Sequence, residues 1–223
     1  MIMNVAMDEE RARFNMVQQQ IRPWEVLDEH ILGLLQEVRR EEFVPPQHRR
    51  LAFADMEIPL GHGESMLAPK LEARMLQELA VRETNRVLEI GTGSGYMTAL
   101  LARLAAEVCS VEIIPEFSAA AAEKLAAHEI TNVRLEVGDG ARGWPRHGPF
   151  DAILVTGSLP VLVPQLQQSL RPGGRLLAVV GEPPVMQARL ITCVAPGAWN
   201  SLALFETCIA PLRNAVQRDK FVF

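Results

Sequence analysis

Arg86-Val87-Leu88-Glu89-Ile90-Gly91-Thr92-Gly93-Ser94-Gly95-Tyr96 decides how the rest of the chain is read. The apolar run from Arg86 to Ile90 predicts a short buried strand. Three glycines follow at alternate positions, and then Tyr96, Met97, Leu100, Leu101 and Leu104 recur at helical spacing. Strand, glycine turn and helix start together make a ligand cradle. Glycine lets a ligand approach the backbone closely, and the helix N-terminus offers free N–H groups and partial positive charge.

The spacing separates one ligand class from another. Dinucleotide loops read G-x-G-x-x-G, whereas this loop reads G-x-G-x-G, with no Lys-Ser/Thr pair to make a phosphate-cradling loop. Glu89, two positions before Gly91, opposes a pyrophosphate and suits a cationic ligand such as the amino end of S-adenosylmethionine. A bare strand-to-helix turn is the plain alternative. Further along, a strand over Glu107–Val111 ends at Glu112, 21 residues after Gly91. An acid there can accept both hydroxyls of a ribose. A third strand, Val133–Val137, ends in Gly138-Asp139-Gly140, and a fourth, Asp151–Val155, leads to Thr156-Gly157-Ser158. Those small residues suit ligand access and a tight turn equally.

The E-x-G-x-G-x-G pattern resembles motif I of the class I methyltransferases, which place an acid near the adenine where Asp139 stands. The resemblance implies S-adenosyl-L-methionine as cofactor, held by Glu89, Gly91, Thr92, Gly93, Gly95, Glu112, Asp139 and Gly140. It also implies an α/β fold of the class I methyltransferase (Rossmann-like) type. The expected sheet has seven mostly parallel strands with helices on both faces. Residues 1–70 then form an N-terminal helical extension with a substrate loop, and 71–223 the cofactor-binding unit.

Composition narrows the class. Of 223 residues, 48% are hydrophobic and 22% charged, enough for an ordinary core. A net charge of −5 argues against broad nucleic-acid binding. No apolar run reaches the length of a membrane span, and the first residues lack the pattern of a secretory signal. A soluble cytoplasmic protein is expected, with its oligomeric state left open. Cys109, Cys193 and Cys208 show no metal-ligand spacing; each lies in an apolar, strand-like run and is expected to be buried and reduced.

Before the glycine loop, Phe14, Val17 and Ile21 predict an amphipathic helix over residues 8–22, ended or bent by Pro23. A second helix is expected from Leu27 with Arg39 and Arg40 in its last turn, closed by Pro45-Pro46. Arg39, Arg40, His48, Arg49 and Arg50 form a basic cluster, either an anion site or a solvated helix end and loop. Residues 51–70, with two prolines and two glycines, read as an irregular loop over the cofactor edge. After the loop, an alanine-rich helix over Phe117–Ala127, a helix over Leu162–Leu170 and strands over Arg175–Val180, Gln187–Val194 and Ser201–Ile209 are expected. Trp144 suits either stacking near the adenine or a core or rim position. Phe221-Val222-Phe223 is expected to dock on the core.

A specific family resemblance rests on Met16-Val17, Arg40-Glu41-Glu42-Phe43-Val44-Pro45, Ile58-Pro59-Leu60-Gly61-His62-Gly63, Ala68-Pro69, the glycine loop, Gly138-Asp139-Gly140 and Leu170-Arg171-Pro172-Gly173-Gly174-Arg175. From about residue 14 onward the chain resembles the protein-L-isoaspartate O-methyltransferases. The resemblance implies carboxyl methylation of L-isoaspartyl residues in damaged proteins or peptides, a protein-repair activity. One departure stands out. Where the family reads Thr-Ile-Ser-Ala-Pro-His, this chain reads Ser65-Met66-Leu67-Ala68-Pro69-Lys70. Ser65 keeps the hydroxyl of the threonine position, while Leu67 stands at the active-site serine and can neither donate a hydrogen bond to a carboxylate nor orient it. Reduced or altered activity follows. Ser65, with backbone N–H groups from Met66 to Ala68, is the candidate for positioning the acceptor. Lys70 and His62 are weaker candidates. Methylation of a different substrate, and a non-catalytic S-adenosylmethionine-binding interaction protein, are the alternative readings.

Overall fold

The computed structural model describes residues 2–218; Phe221-Val222-Phe223 lies outside the described residues. The first helix, α1 (Ile2–Met16), runs into a π-helical turn over Val17–Ile21 and a 3₁₀ turn over Arg22–Trp24 that contains Pro23. Met16, Val17 and Ile21 are buried, but Phe14, expected on the same face, is 53% exposed. The wide π turn changes the register of the helix, so an even helical spacing misplaces Phe14.

The second helix is shorter than its pattern suggests. α2 (Glu29–Glu37) starts at Asp28, whose carboxylate accepts from the His30 N–H at 2.9 Å. It stops at Val38, which is extended, and a separate turn of helix, α3 (Arg40–Phe43), follows. Arg39 and Arg40 therefore do not close α2. The break carries Arg40 inward, where it is fully buried and takes no part in a surface basic cluster. Residues 51–70 also depart from the irregular loop expected. They contain a hairpin of β1 (Ile58–Gly61) and β2 (Glu64–Met66), with Ile58 opposite Met66. Gly61, His62 and Gly63 all have positive φ, 100°, 54° and 82°. Two glycines supply the left-handed backbone that the tight turn needs.

Next come α4 (Pro69–Leu79), β3 (Arg86–Ile90), α5 (Tyr96–Leu104), β4 (Glu107–Glu112), α6 (Pro115–Ala127), β5 (Val133–Val137), β6 (Phe150–Leu159), α7 (Pro164–Gln168), β7 (Leu170–Glu182), β8 (Val185–Ala195) and β9 (Ala198–Glu206). Seven strands form one sheet in the order β5-β4-β3-β6-β7-β8-β9. The first five are mutually parallel, whereas β8 pairs antiparallel with both β7 and β9. This is the mostly parallel sheet expected, and it settles the placement of the last two strands, with β9 at the edge. β6 runs on to Leu159 through a register shift after Leu154, and β7 begins at Leu170 rather than Arg175. Cys208 lies beyond β9 and is exposed, while Cys109 and Cys193 are buried. No helix among the described residues is long and apolar enough to cross a membrane.

Strand periodicity divides the core in two. Val87, Val108, Leu154 and Leu177 face the N-terminal helices, α4 and α5. Leu88, Ile90, Cys109, Val111, Ile153 and Leu176 face α7 and the C-terminal segment. The strand order reverses at β3, between β4 and β6, and such a switch point opens a crevice at the strands' carboxyl ends.

Arg40 ties the N-terminal part to this sheet. Its guanidinium pairs with the buried Glu72 of α4 and donates from Nε to the Ala52 carbonyl at 2.9 Å and from Nη2 to the Leu67 carbonyl at 2.6 Å. It also lies over the Tyr96 ring, 5.0 Å from the centroid. A second buried pair joins Arg13 of α1 to Glu41. Removing one partner of such a pair costs about 3–5 kcal/mol. Arg40→Met is expected to lose that much unfolding free energy in a urea titration, and Arg40→Met with Glu72→Met to recover part of it. A loss under about 1 kcal/mol would show that the pair adds little.

Candidate active site

A cavity opens at the switch point, between the strand tips and the β1–β2 hairpin. Gly91 and Gly93 form its floor, with φ of 97° and 52°. A Cβ on Gly91 would stand 2.3 Å from Thr156 Oγ1, so this turn admits no side chain. Glu112 sits beside the glycine loop and is 5% exposed. Its Oε2 accepts from the Gly93 N–H at 2.8 Å and its Oε1 from the Ile114 N–H at 3.0 Å. Asp139, at the next strand tip, accepts from the Ala141 N–H at 3.0 Å and from Asn214 Nδ2 at 3.0 Å. Ile90, Val111, Ile113, Gly140 and Ala141 add the surrounding wall. Two carboxylates, a glycine turn with no side chains and apolar walls form a lining that fits a nucleoside with a charged tail.

Two residues expected to touch the cofactor point elsewhere. Glu89 alternates with Ile90 along β3, so its side chain enters the layer between the sheet and α5, away from the cavity. There it is fully buried. Its Oε2 accepts from Thr98 Oγ1 at 2.5 Å and from Ser110 Oγ at 2.6 Å. The parallel register places Ser110 directly opposite Glu89. Ser110 Oγ lies 2.6 Å from Thr92 Oγ1, so Glu89 steadies the glycine loop from behind. Gly95 is the second case. It precedes α5 with φ of 83°, and a Cβ there would meet Ala121 Cβ of α6 at 2.9 Å. Its role is close helix packing. Thr92 is buried and borders a narrower recess of the cavity with Ser94 and Met97.

Ser65, on β2, lines both the cavity and this recess, as does the buried Leu67. Lys70 turns away: it pairs with Asp55 at 2.7 Å and lies over the Trp24 ring. His62 packs edge-on against Phe117, itself a cavity residue. Trp144 donates to Glu136 at 2.9 Å and packs beneath Gly138, outside the cavity wall.

One whole wall escaped the sequence reading. Residues 207–218 cross the strand tips after β9, bonded to Ser158: its N–H donates to the Ala210 carbonyl at 2.9 Å, and its carbonyl accepts from the Leu212 N–H at 3.0 Å. Ala210, Pro211, Leu212 and Arg213 thereby line the cavity, as do Thr156 and Gly157 from β6. No periodicity marks this stretch; Pro211 and the lack of a helical or alternating pattern are its only signals.

A sequence profile of the protein-L-isoaspartate(D-aspartate) O-methyltransferase family matches residues 11–194. The chain belongs to that family. Protein-L-isoaspartate O-methyltransferase 1 of Anaeromyxobacter sp. (strain Fw109-5) is 48% identical over 192 residues, 85% of this chain and 91% of the relative. The protein-L-isoaspartate O-methyltransferase of Methanoculleus marisnigri is 41% identical over 202 residues, 91% of each chain. A crystal structure from Plasmodium falciparum, assigned to the same enzyme and holding S-adenosyl-L-homocysteine, superposes with a TM-score of 0.78 at 19% identity, over 90% of this chain and 98% of that one. At that identity the likeness is one of fold. This member of the protein-L-isoaspartate O-methyltransferase family is an S-adenosylmethionine-dependent methyltransferase.

Burial pushes the Glu89 carboxyl up from 4.5 to about 8, against the two hydroxyl hydrogen bonds that lower it. A carboxyl raised on folding holds its proton in the native state after the unfolded chain has lost it. Its stability contribution is therefore complete below the unfolded value and is lost as pH rises through the native one. Glu89→Gln is expected to gain stability relative to the parent between about pH 5 and about pH 8, measured as unfolding free energy at each pH. A constant difference across that range would refute the assignment.

Proposed function

We propose that the cavity binds S-adenosylmethionine and that the protein transfers its methyl group to the free carboxylate of L-isoaspartyl residues in damaged proteins and peptides. The observation that carries this reading is a single cavity shared by the glycine loop, the acids Glu112 and Asp139, and the Ser65 hairpin, in a chain of this family.

Bound there, S-adenosylmethionine supplies a methyl group on a sulfonium. Glu112, already aligned by the Gly93 and Ile114 N–H groups, would present its remaining lone pairs to the ribose hydroxyls. Asp139, its carboxylate held by Asn214 and the Ala141 N–H, would face the adenine. The glycine loop gives backbone access where any side chain would collide with Thr156. Acceptor carboxylates ionise at about pH 4, so the nucleophile is anionic near neutrality and needs no general base. The residues' work is alignment and exclusion of water. Ser65 offers the hydroxyl, and the hairpin and the 207–218 segment wall off the reacting atoms.

Transfer of radiolabelled methyl groups to an isoaspartyl peptide, with the matching aspartyl peptide as control, tests the reading. Label is expected on the isoaspartyl peptide alone. A hydrogen bond to a charged group contributes about 1.5–3 kcal/mol, so Ser65→Ala is expected to lower kcat/KM about tenfold or more. Leu67 favours a second reading, a different carboxylate acceptor. Cofactor-binding protein that leaves the isoaspartyl peptide unlabelled, and gains transfer on Leu67→Ser, would decide for it.

A further inference from the structure

The cavity poses an electrostatic problem for the proposed reaction. Glu57, Glu64, Glu112 and Asp139 all line it, and the acceptor is itself a carboxylate. Like charges disfavour bringing another anion into such a site. Among the described residues that line the cavity, Arg213 is the one cationic side chain. It lies on the segment after β9, beyond residues 11–194 that the family profile matches.

Its guanidinium rests against the hairpin. Nε donates to Glu64 Oε1 at 2.6 Å, and Nη2 donates to the His62 carbonyl. Nη1 makes no hydrogen bond to the described residues. Glu64 adjoins Ser65 in sequence, and Leu67 leaves no hydroxyl three residues further on. A cation, a spare donor and the acceptor-positioning strand thus meet at one point of the wall.

We propose that Arg213 recognises the acceptor carboxylate, supplying the charge and donors that Leu67 lacks, and that Glu64 holds the guanidinium in place until the acceptor binds. The inference rests on the carboxylate-acceptor reading above. An arginine fork presents parallel N–H groups matched to a carboxylate. Two such bonds use one lone pair on each oxygen and leave another on each free to attack the methyl group. Exchanging Glu64 for the acceptor also preserves the local charge balance.

The test compares the parent protein with Arg213→Gln, Arg213→Lys and Glu64→Gln in steady-state methylation of an isoaspartyl peptide. Calorimetry of S-adenosylmethionine binding reports on folding and on the cofactor site. Arg213→Gln is expected to raise the peptide KM about ten- to one-hundredfold, with cofactor affinity within about twofold of the parent. Arg213→Lys recovers part of the loss, and Glu64→Gln lowers the KM because it frees the guanidinium. If Arg213 is only a staple between the hairpin and the C-terminal segment, Glu64→Gln raises the KM as Arg213→Gln does, and the proposal falls. An unchanged KM in Arg213→Gln overturns it equally. A parent protein that binds the cofactor but methylates no isoaspartyl peptide defeats the underlying reading, and this proposal with it; normal parent activity with an unaffected Arg213→Gln defeats this proposal alone.

Discussion

One buried guanidinium sets the relative positions of three parts of the site. Arg40 comes from the N-terminal extension, yet its partners are the loop carbonyl of Ala52, the carbonyl of Leu67 at the exit of the hairpin, and Glu72 on α4. Its face lies on Tyr96, the first residue after the glycine turn. Burying an ion is costly unless every donor is met, and here the donors reach different segments at once. Each segment is thereby placed with respect to the others. Burial raises the Glu72 carboxyl pKa, and the adjacent guanidinium opposes that rise.

The glycine loop is held by two carboxyl groups that act from opposite sides. Glu112 grips it from the cavity side through the Gly93 N–H, where the carboxylate stays within reach of a ligand. Glu89 supports it from inside the protein through Ser110 and Thr92. The difference follows from strand geometry, because Glu89 and Ile90 project to opposite faces of the same strand. The acid of the motif thus acts as a post beneath the loop, and the ligand-facing acid is the one on the neighbouring strand.

Much of this could be read from residue patterns because the patterns have local causes. The strand at Arg86–Ile90, the glycine turn and the acids at the tips of β4 and β5 each follow from periodicity and spacing, and the resemblance to the class I methyltransferases rested on them. The misplaced features depend on contacts between distant segments. Arg40 looked like part of a basic surface because its buried partners, Glu72 and the Leu67 carbonyl, lie 32 and 27 residues away. Even helical spacing misplaces Phe14 because a π turn changes helical register. The hairpin at Ile58–Met66 was obscured by its own glycines, which read as disruption when they serve a tight reversal. The wall made by 207–218 has no period at all, since it is shaped by hydrogen bonds to distant residues, Ser158, Glu64 and Asp139 among them.

The joining of Arg213 to Glu64 spans 149 positions of the chain. Closing so long a loop costs more chain entropy than forming the nearer contacts of β3, β4 and α5. Without residues 207–218 the central strands keep their partners in the sheet, but the chamber loses one side.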